Sequence, residues 1–129
     1  MRVEKIHNMG NHLIIDGADV ESGLLDDKRL IKNFLKELPS IVDMHTLTRP
    51  KVIRAKPKKW DTGGVTGFII LSESNVSIHT YPQEGKFYLD LFSCKEFDVE
   101  KAVGYIKGKF NLKNFSQRLL KRGDYEKEI

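Results

Sequence analysis

Three runs rich in β-branched and aromatic residues, 65–71, 76–81 and 86–93, are separated only by the short links Ser72-Glu73-Ser74-Asn75 and Pro82-Gln83-Glu84-Gly85. Links of this length cannot carry a crossover, so the three runs have to pair as antiparallel neighbours in a meander. With Glu73-Ser74 as a two-residue turn, opposed residues share a face. One face then collects Thr66, Phe68, Ile70, Ser72, Asn75, Ser77, His79 and Tyr81, and the other Ile69, Leu71, Val76 and Ile78. The wholly apolar face needs a cover. The mixed face is where water, a partner or a substrate is met.

The flanking sequence supplies that cover. Asp26 or Asp27 caps a helix running to about Leu38, with Leu30, Ile31, Phe34, Leu35 and Leu38 on one face and Pro39 as its stop. A second helix begins near Asp98 and turns Val99, Ala102, Val103, Ile106 and Phe110 inward. Further strands are expected at 12–16, ending in a turn at Gly17, at 115–120, and at 40–48, where Ile41, Asp43 and His45 alternate with Val42, Met44 and Thr46. The order strand, helix, strand, meander, helix, strand predicts an α+β fold. It is a two-layer α/β sandwich, a mostly antiparallel sheet with two helices on one face. At 129 residues the chain fits one domain, 1–129. A second copy of the sheet is a natural cover for the exposed face.

Composition narrows the function. Apolar residues make up 40% of the chain, yet no window approaches the eighteen or so that a membrane span needs, so no membrane partner is expected. The start, Met1-Arg2-Val3-Glu4-Lys5, lacks the apolar stretch of a signal peptide, which predicts a cytoplasmic protein. The net charge of +4 is concentrated in residues 49–60, with one aromatic, two prolines and no nucleic-acid recognition motif. That stretch reads as a solvated loop or sheet edge, and no nucleic acid is expected as partner. A lone cysteine forms no internal disulfide, and His7, His12 and His45 show no metal-ligand spacing, so no metal is expected. If Cys94 has a chemical role, it is as a thiol.

The turn carries the chemistry. Ser74 follows an acidic residue in a tight turn, which suits a chain that cuts itself at Glu73-Ser74 and makes a carbonyl cofactor from the serine. Pairing the second and third strands about Glu84 places Cys94 level with Ser74. His79 lies five residues along the strand, roughly 16 Å away at about 3.3 Å per residue, so if His79 and Thr66 act on Ser74 they come from another protomer. Each residue alone has a plain use: turn serines bond the local backbone, strand histidines pack, and cysteines fill cores. Serine, imidazole and thiol within one short meander make a more specific set. Phe68, Phe87, Tyr88 and Phe92 read first as core or interface residues.

Gly64-Val65-Thr66-Gly67, Ser72-Glu73-Ser74, His79-Thr80-Tyr81-Pro82 and Asp90-Leu91-Phe92-Ser93-Cys94, with echoes at Gly10-Asn11-His12-Leu13 and Leu25-Asp26-Asp27, span most of the chain. Together they resemble the short, prokaryotic-type S-adenosylmethionine decarboxylases, self-processing pyruvoyl enzymes of polyamine and spermidine biosynthesis. The resemblance implies that Ser74 attacks the Glu73 carbonyl, an N-to-O acyl shift gives an ester, and β-elimination gives dehydroalanine that hydrolyses to a pyruvoyl group. The products are a β chain of residues 1–73 and an α chain of residues 74–129. It implies that His79 assists elimination, that Thr66 stands where the family usually has a processing serine, and that Cys94 protonates the product carbon. Asp16, Phe68 and Gln83 are the implied substrate contacts. The pyruvoyl group takes the substrate's α-amino group as a Schiff base and acts as electron sink, with neither metal nor pyridoxal phosphate. A homodimer stacked sheet to sheet as an α/β/β/α sandwich, with shared active sites, is implied as well.

The sequence departs from the family pattern in the long basic loop with Trp60 before Gly64, at Gly17-Ala18 where an aromatic is common, and in two further places. Asn75 follows the turn serine where the family usually has His, and Tyr81-Pro82-Gln83 replaces Trp-Pro-Glu. That glutamate is associated with the ribose hydroxyls of the substrate. Gln83 keeps a hydrogen-bonding group but loses the charge-assisted bond, and Glu84 is the carboxylate one residue on. Two alternatives follow: a pyruvoyl-dependent arginine or ornithine decarboxylase of the same family, and a non-processing relative that regulates a partner. Retention of Ser74, His79 and Cys94 argues against the second.

Overall fold

The computed structural model describes residues 1–7 and 10–129. Its elements run β1 (Val3–Ile6), β2 (Gly10–Ala18), α1 (Ser22–Leu25), α2 (Lys28–Ile41), β3 (Lys51–Ala55), β4 (Gly64–Ile70), β5 (Ser74–Tyr81), a one-turn 3-10 helix (Pro82–Glu84), β6 (Lys86–Ser93), α3 (Val99–Phe110), β7 (Asn114–Arg122) and β8 (Tyr125–Glu128). Six strands form a sheet in the order β3-β4-β5-β6-β2-β7, every neighbouring pair antiparallel, while β1 and β8 pair apart from it as a ribbon. The expected α+β sandwich is therefore the fold observed.

Side chains alternate across the pleat, and the alternation sorts the sheet into two unlike faces. Leu13, Ile15, Ile69, Val76, Ile78, Leu89 and Leu91 are buried together with Ile31, Phe34, Leu35 and Leu38 of α2 and Ala102, Ile106 and Phe110 of α3. Asp27 caps α2 by accepting from the Leu30 N–H, and Asp98 caps α3 by accepting from the Lys101 N–H. Both helices thus start where the sequence predicts. Among the described residues no helix covers the opposite face, which exposes Ile53, Phe68, Ile70, Tyr88 and Leu120.

Four expectations need correction. Residues 40–48 are not a strand: α2 continues through Pro39 to Ile41, and the segment after it meets the sheet at an isolated bridge, Thr46 opposite Leu71, with Leu47 N–H donating to the Ile70 carbonyl. The proline sits in the last turn, where its carbonyl accepts from the N–H groups of Val42 and Met44, and burial of Leu38, Pro39, Val42 and Met44 outweighs the lost helical bond. The sixth strand of the sheet is instead β3, inside the basic stretch, where Lys51 and Arg54 keep the edge charged.

β2 extends through Gly17 because the Phe87 ring occupies the space a side chain would need there: a Cβ on Gly17 would meet it at 2.3 Å. Finally, the first hairpin turns at Ser72-Glu73, with the Leu71 N–H donating to the Ser74 carbonyl. Thr66 therefore opposes His79 and Phe68 opposes Ser77, two residues away from the expected pairing. A slip of two preserves the faces, so the sorting of side chains stands.

Candidate active site

The Glu73–Ser74 bond lies where the turn enters β5, and β6 grips both of its halves. Ser74 opposes Ser93 rather than Cys94, one residue off the expected register. The Ser74 hydroxyl donates to Ser93 Oγ at 2.8 Å, and the Lys95 N–H donates to the same oxygen at 3.1 Å. Cys94, one residue on, donates its backbone N–H to the Glu73 carbonyl oxygen at 2.9 Å. Ser74 is 8% exposed and Ser93 not at all, whereas the Cys94 residue is exposed. A buried hydroxyl thus adjoins a carbonyl polarised by an N–H donor, the pair of groups an N-to-O acyl shift requires. A cavity of about 20 Å³, bounded by Met44, His45, Leu71 and Lys95, borders the turn. The Ser72 N–H donates to the His45 carbonyl there.

A second group lies on the open face. Asp16, Tyr88, His79, Thr66 and Ile53 occupy consecutive positions of one row across β2, β6, β5, β4 and β3. Thr66 Oγ1 and His79 Nδ1 are 3.1 Å apart, the hydroxyl donating when the imidazole carries its proton on Nε2. Phe68, 44% exposed, stands two residues from Thr66 on the same face. Tyr88 packs edge-on against Tyr81 at 5.7 Å. Burial pushes the Tyr81 phenol above its ordinary value, and the Asp61 carboxylate adds to that shift.

Within one chain the two groups do not meet. His79 is five residues from Ser74 along β5, about 16 Å, and points to the other face, since Ser74 shares the helix-covered side with Val76 and Ile78. Gln83 lies beyond the far end of β5, in a cleft of about 230 Å³ with Asp26, Arg54, Gly63 and Pro82. Glu84 accepts there from the Thr62 hydroxyl at 2.9 Å.

Residues 11–123 match the S-adenosylmethionine decarboxylase family. The chain belongs to that family. Among its relatives, the S-adenosylmethionine decarboxylase proenzyme of Archaeoglobus fulgidus is 32% identical over 89% of this chain and 98% of its own length. The Pyrococcus furiosus proenzyme is 32% identical over 93% of this chain and 83% of its own, and that of Clostridium tetani 29% over 96% and 94%. The crystal structure of the adenosylmethionine decarboxylase from Aquifex aeolicus superposes with a TM-score of 0.78 at 24% identity, covering 96% of this chain and 98% of that one, so the fold is shared.

Three residues that lie beside these two groups in this member of the S-adenosylmethionine decarboxylase family are not singled out by a reading of its sequence. Ser93 adjoins the only cysteine, and the one available signal was the register, which a one-residue error hides. Tyr88 reads from sequence as core or interface, yet it lies between Asp16 and His79 in the row. His45 approaches the turn because α2 ends late and the next segment crosses beside Leu71. Among the described residues no cluster of three or more His, Cys, Asp or Glu is placed to hold a metal, and no helix is long and apolar enough to cross a membrane.

Proposed function

We propose that the chain is a cytoplasmic proenzyme that cuts itself at Glu73–Ser74 and then decarboxylates S-adenosylmethionine to the aminopropyl donor of spermidine biosynthesis. The observation that carries the cleavage is the double grip on the scissile unit: Cys94 N–H on the Glu73 carbonyl, Ser93 Oγ on the Ser74 hydroxyl. The residues present fit formation of a pyruvoyl group, because the serine that would become it is buried beside a polarised carbonyl. Once formed, that group supplies the electron sink for loss of the substrate carboxylate.

The chain's own residues divide the remaining work. Ser74 is the nucleophile, and Thr66 and His79 handle the proton removed during elimination, reaching Ser74 from a partner protomer. The apolar exposure of Phe68, Ile70, Tyr88 and Leu120 supports a dimer through the open face. Cys94, exposed next to the turn, delivers the proton to the product carbon. Asp16 and Phe68, on the open face, and Gln83, at the end of β5, contact the substrate.

Denaturing mass spectrometry of the purified protein tests the cleavage, with chains of residues 1–73 and 74–129 expected, the second beginning in a pyruvoyl group. A chain left intact overturns it. Carbon dioxide released from S-adenosylmethionine, and not from arginine or ornithine, is the expected result of a substrate panel; the reverse overturns the substrate.

A further inference from the structure

Consecutive residues of one strand end hold the two reacting groups of the scissile unit. Cys94 holds the electrophile by its N–H, and Ser93 holds the nucleophile by its Oγ. We propose that Ser93 is a positioning residue for self-cleavage, selecting the rotamer of Ser74 from which its hydroxyl attacks the Glu73 carbonyl. The proposal rests on the reading that the chain cuts at Glu73–Ser74.

A serine χ1 has three staggered wells, and an exposed turn serine samples them. Ser74 has one defined partner instead, in a buried setting where leaving the hydroxyl unpaired is costly. Ser93 is itself immobilised. Its oxygen also accepts from the Lys95 N–H, and the Lys95 ammonium donates to the Asp43 carbonyl at 2.8 Å, tying the segment after β6 to the end of α2. A fully buried acceptor anchored in this way transmits its orientation to the group that donates to it.

With its hydrogen directed at Ser93, Ser74 Oγ keeps its lone pairs free. In the step itself the Oγ–C bond to Glu73 forms and the C–N bond of the peptide breaks. The hydroxyl loses its proton and the Ser74 nitrogen gains one, so nothing else is consumed and Ser93 is unchanged at the end. Misplacement of a reacting group by about 1 Å can cost a hundredfold in rate, which sets the scale for losing this guide.

The competing use of Ser93 is structural, a buried hydroxyl that merely satisfies its neighbour. Rescue separates the two. Wild type, Ser93→Ala, Ser93→Cys and Ser93→Thr are made by cell-free synthesis and chased. Mass spectrometry gives the cleaved fraction against time, and thermal melting reports folding. Ser93→Ala and Ser93→Cys should cleave roughly 10- to 100-fold more slowly, the sulfur being a poor acceptor, while Ser93→Thr, which keeps the oxygen, stays within a few-fold of wild type. If Ser93→Ala fails to melt cooperatively, the Cys variant, close to serine in volume, decides.

Wild-type rates in the folded Ala and Cys variants overturn the role of Ser93 alone. A folded Thr variant as slow as Ala does the same. A wild-type chain that never cleaves overturns both this role and the cleavage reading beneath it.

Discussion

The backbone N–H of Cys94 donates to the Glu73 carbonyl oxygen at 2.9 Å, so the residue assigned a thiol role also touches the scissile bond through its main chain. Side-chain substitution leaves that donor in place. Cys94→Ala should therefore still cleave, while losing decarboxylase activity by on the order of a hundredfold or more, the usual scale for a missing proton donor. Ser74→Ala, without the nucleophile, should stay a single chain of 129 residues. Gel electrophoresis and carbon dioxide release measure the two effects, and a Cys94→Ala chain that does not cut contradicts the main-chain assignment.

The separation of His79 from Ser74 along β5 predicts complementation between protomers. His79→Ala and Ser74→Ala chains, each uncut when expressed alone, should yield cut His79→Ala chains when co-expressed, because a mixed dimer joins an intact serine to an intact partner histidine. Mass tags on the two chains identify which is cut. No cutting in mixtures proven to contain heterodimers places the histidine's action elsewhere.

Two glycines should respond oppositely to alanine. A Cβ on Gly64, at φ 157°, would stand 1.9 Å from the Thr80 carbonyl oxygen, a backbone atom that cannot rotate away. Gly64→Ala should cost about 2–3 kcal/mol and lower Tm by roughly 10 °C. Gly104 sits in α3 with nothing within 4 Å of its missing Cβ. Gly104→Ala should stabilise by about 0.5–1 kcal/mol through helix propensity. Calorimetry of both variants in the uncut Ser74→Ala background checks the signs.

α2 and α3 are tied by the Tyr105 hydroxyl, which donates to Glu37 Oε2. That bond holds the Glu37 carboxyl below its ordinary value, with Lys109 assisting against the opposing effect of burial. Burial, then the same bond, pushes the Tyr105 phenol well up. A carboxyl depressed by folding stabilises above its unfolded pKa near 4.5, and the stabilisation is lost as pH falls through the folded value. A phenol raised by folding stabilises below its unfolded value of 10.0, and this fades as pH rises above it. Tyr105→Phe should therefore lower Tm at pH 7, and the gap should narrow as the pH falls below 4.5. A gap that does not narrow in acid contradicts the assignment to the Glu37 carboxylate, because phenylalanine keeps the ring that stacks on Phe34 at 5.8 Å.

What could be read from sequence is what neighbouring residues encode. Ile69, Leu71, Val76 and Ile78 segregate from Thr66, Phe68, Ser77 and His79 by simple alternation, and Asp27 and Asp98 announce their helices as caps, so the sandwich and the two faces of its sheet follow directly. Ser74, His79, Thr66 and Cys94 stand out there as a candidate set. Register does not follow, because alternation is unchanged by a slip of two and a turn of Ser, Glu, Ser and Asn accepts either central pair.

Tertiary packing made that choice. It turned the hairpin at Ser72-Glu73, set Thr66 opposite His79, and put Ser93 rather than Cys94 beside Ser74. It also carried α2 past Pro39, because Leu38, Val42 and Met44 gain more from burial than the helix loses at one missing N–H. The sequence by itself determined the fold class and the family, and it singled out Ser74, His79, Thr66 and Cys94 as candidates. Which oxygen the nucleophile meets depends on strands brought level from opposite ends of a loop, a contact settled by burial across the whole sheet and not by any local run of residues.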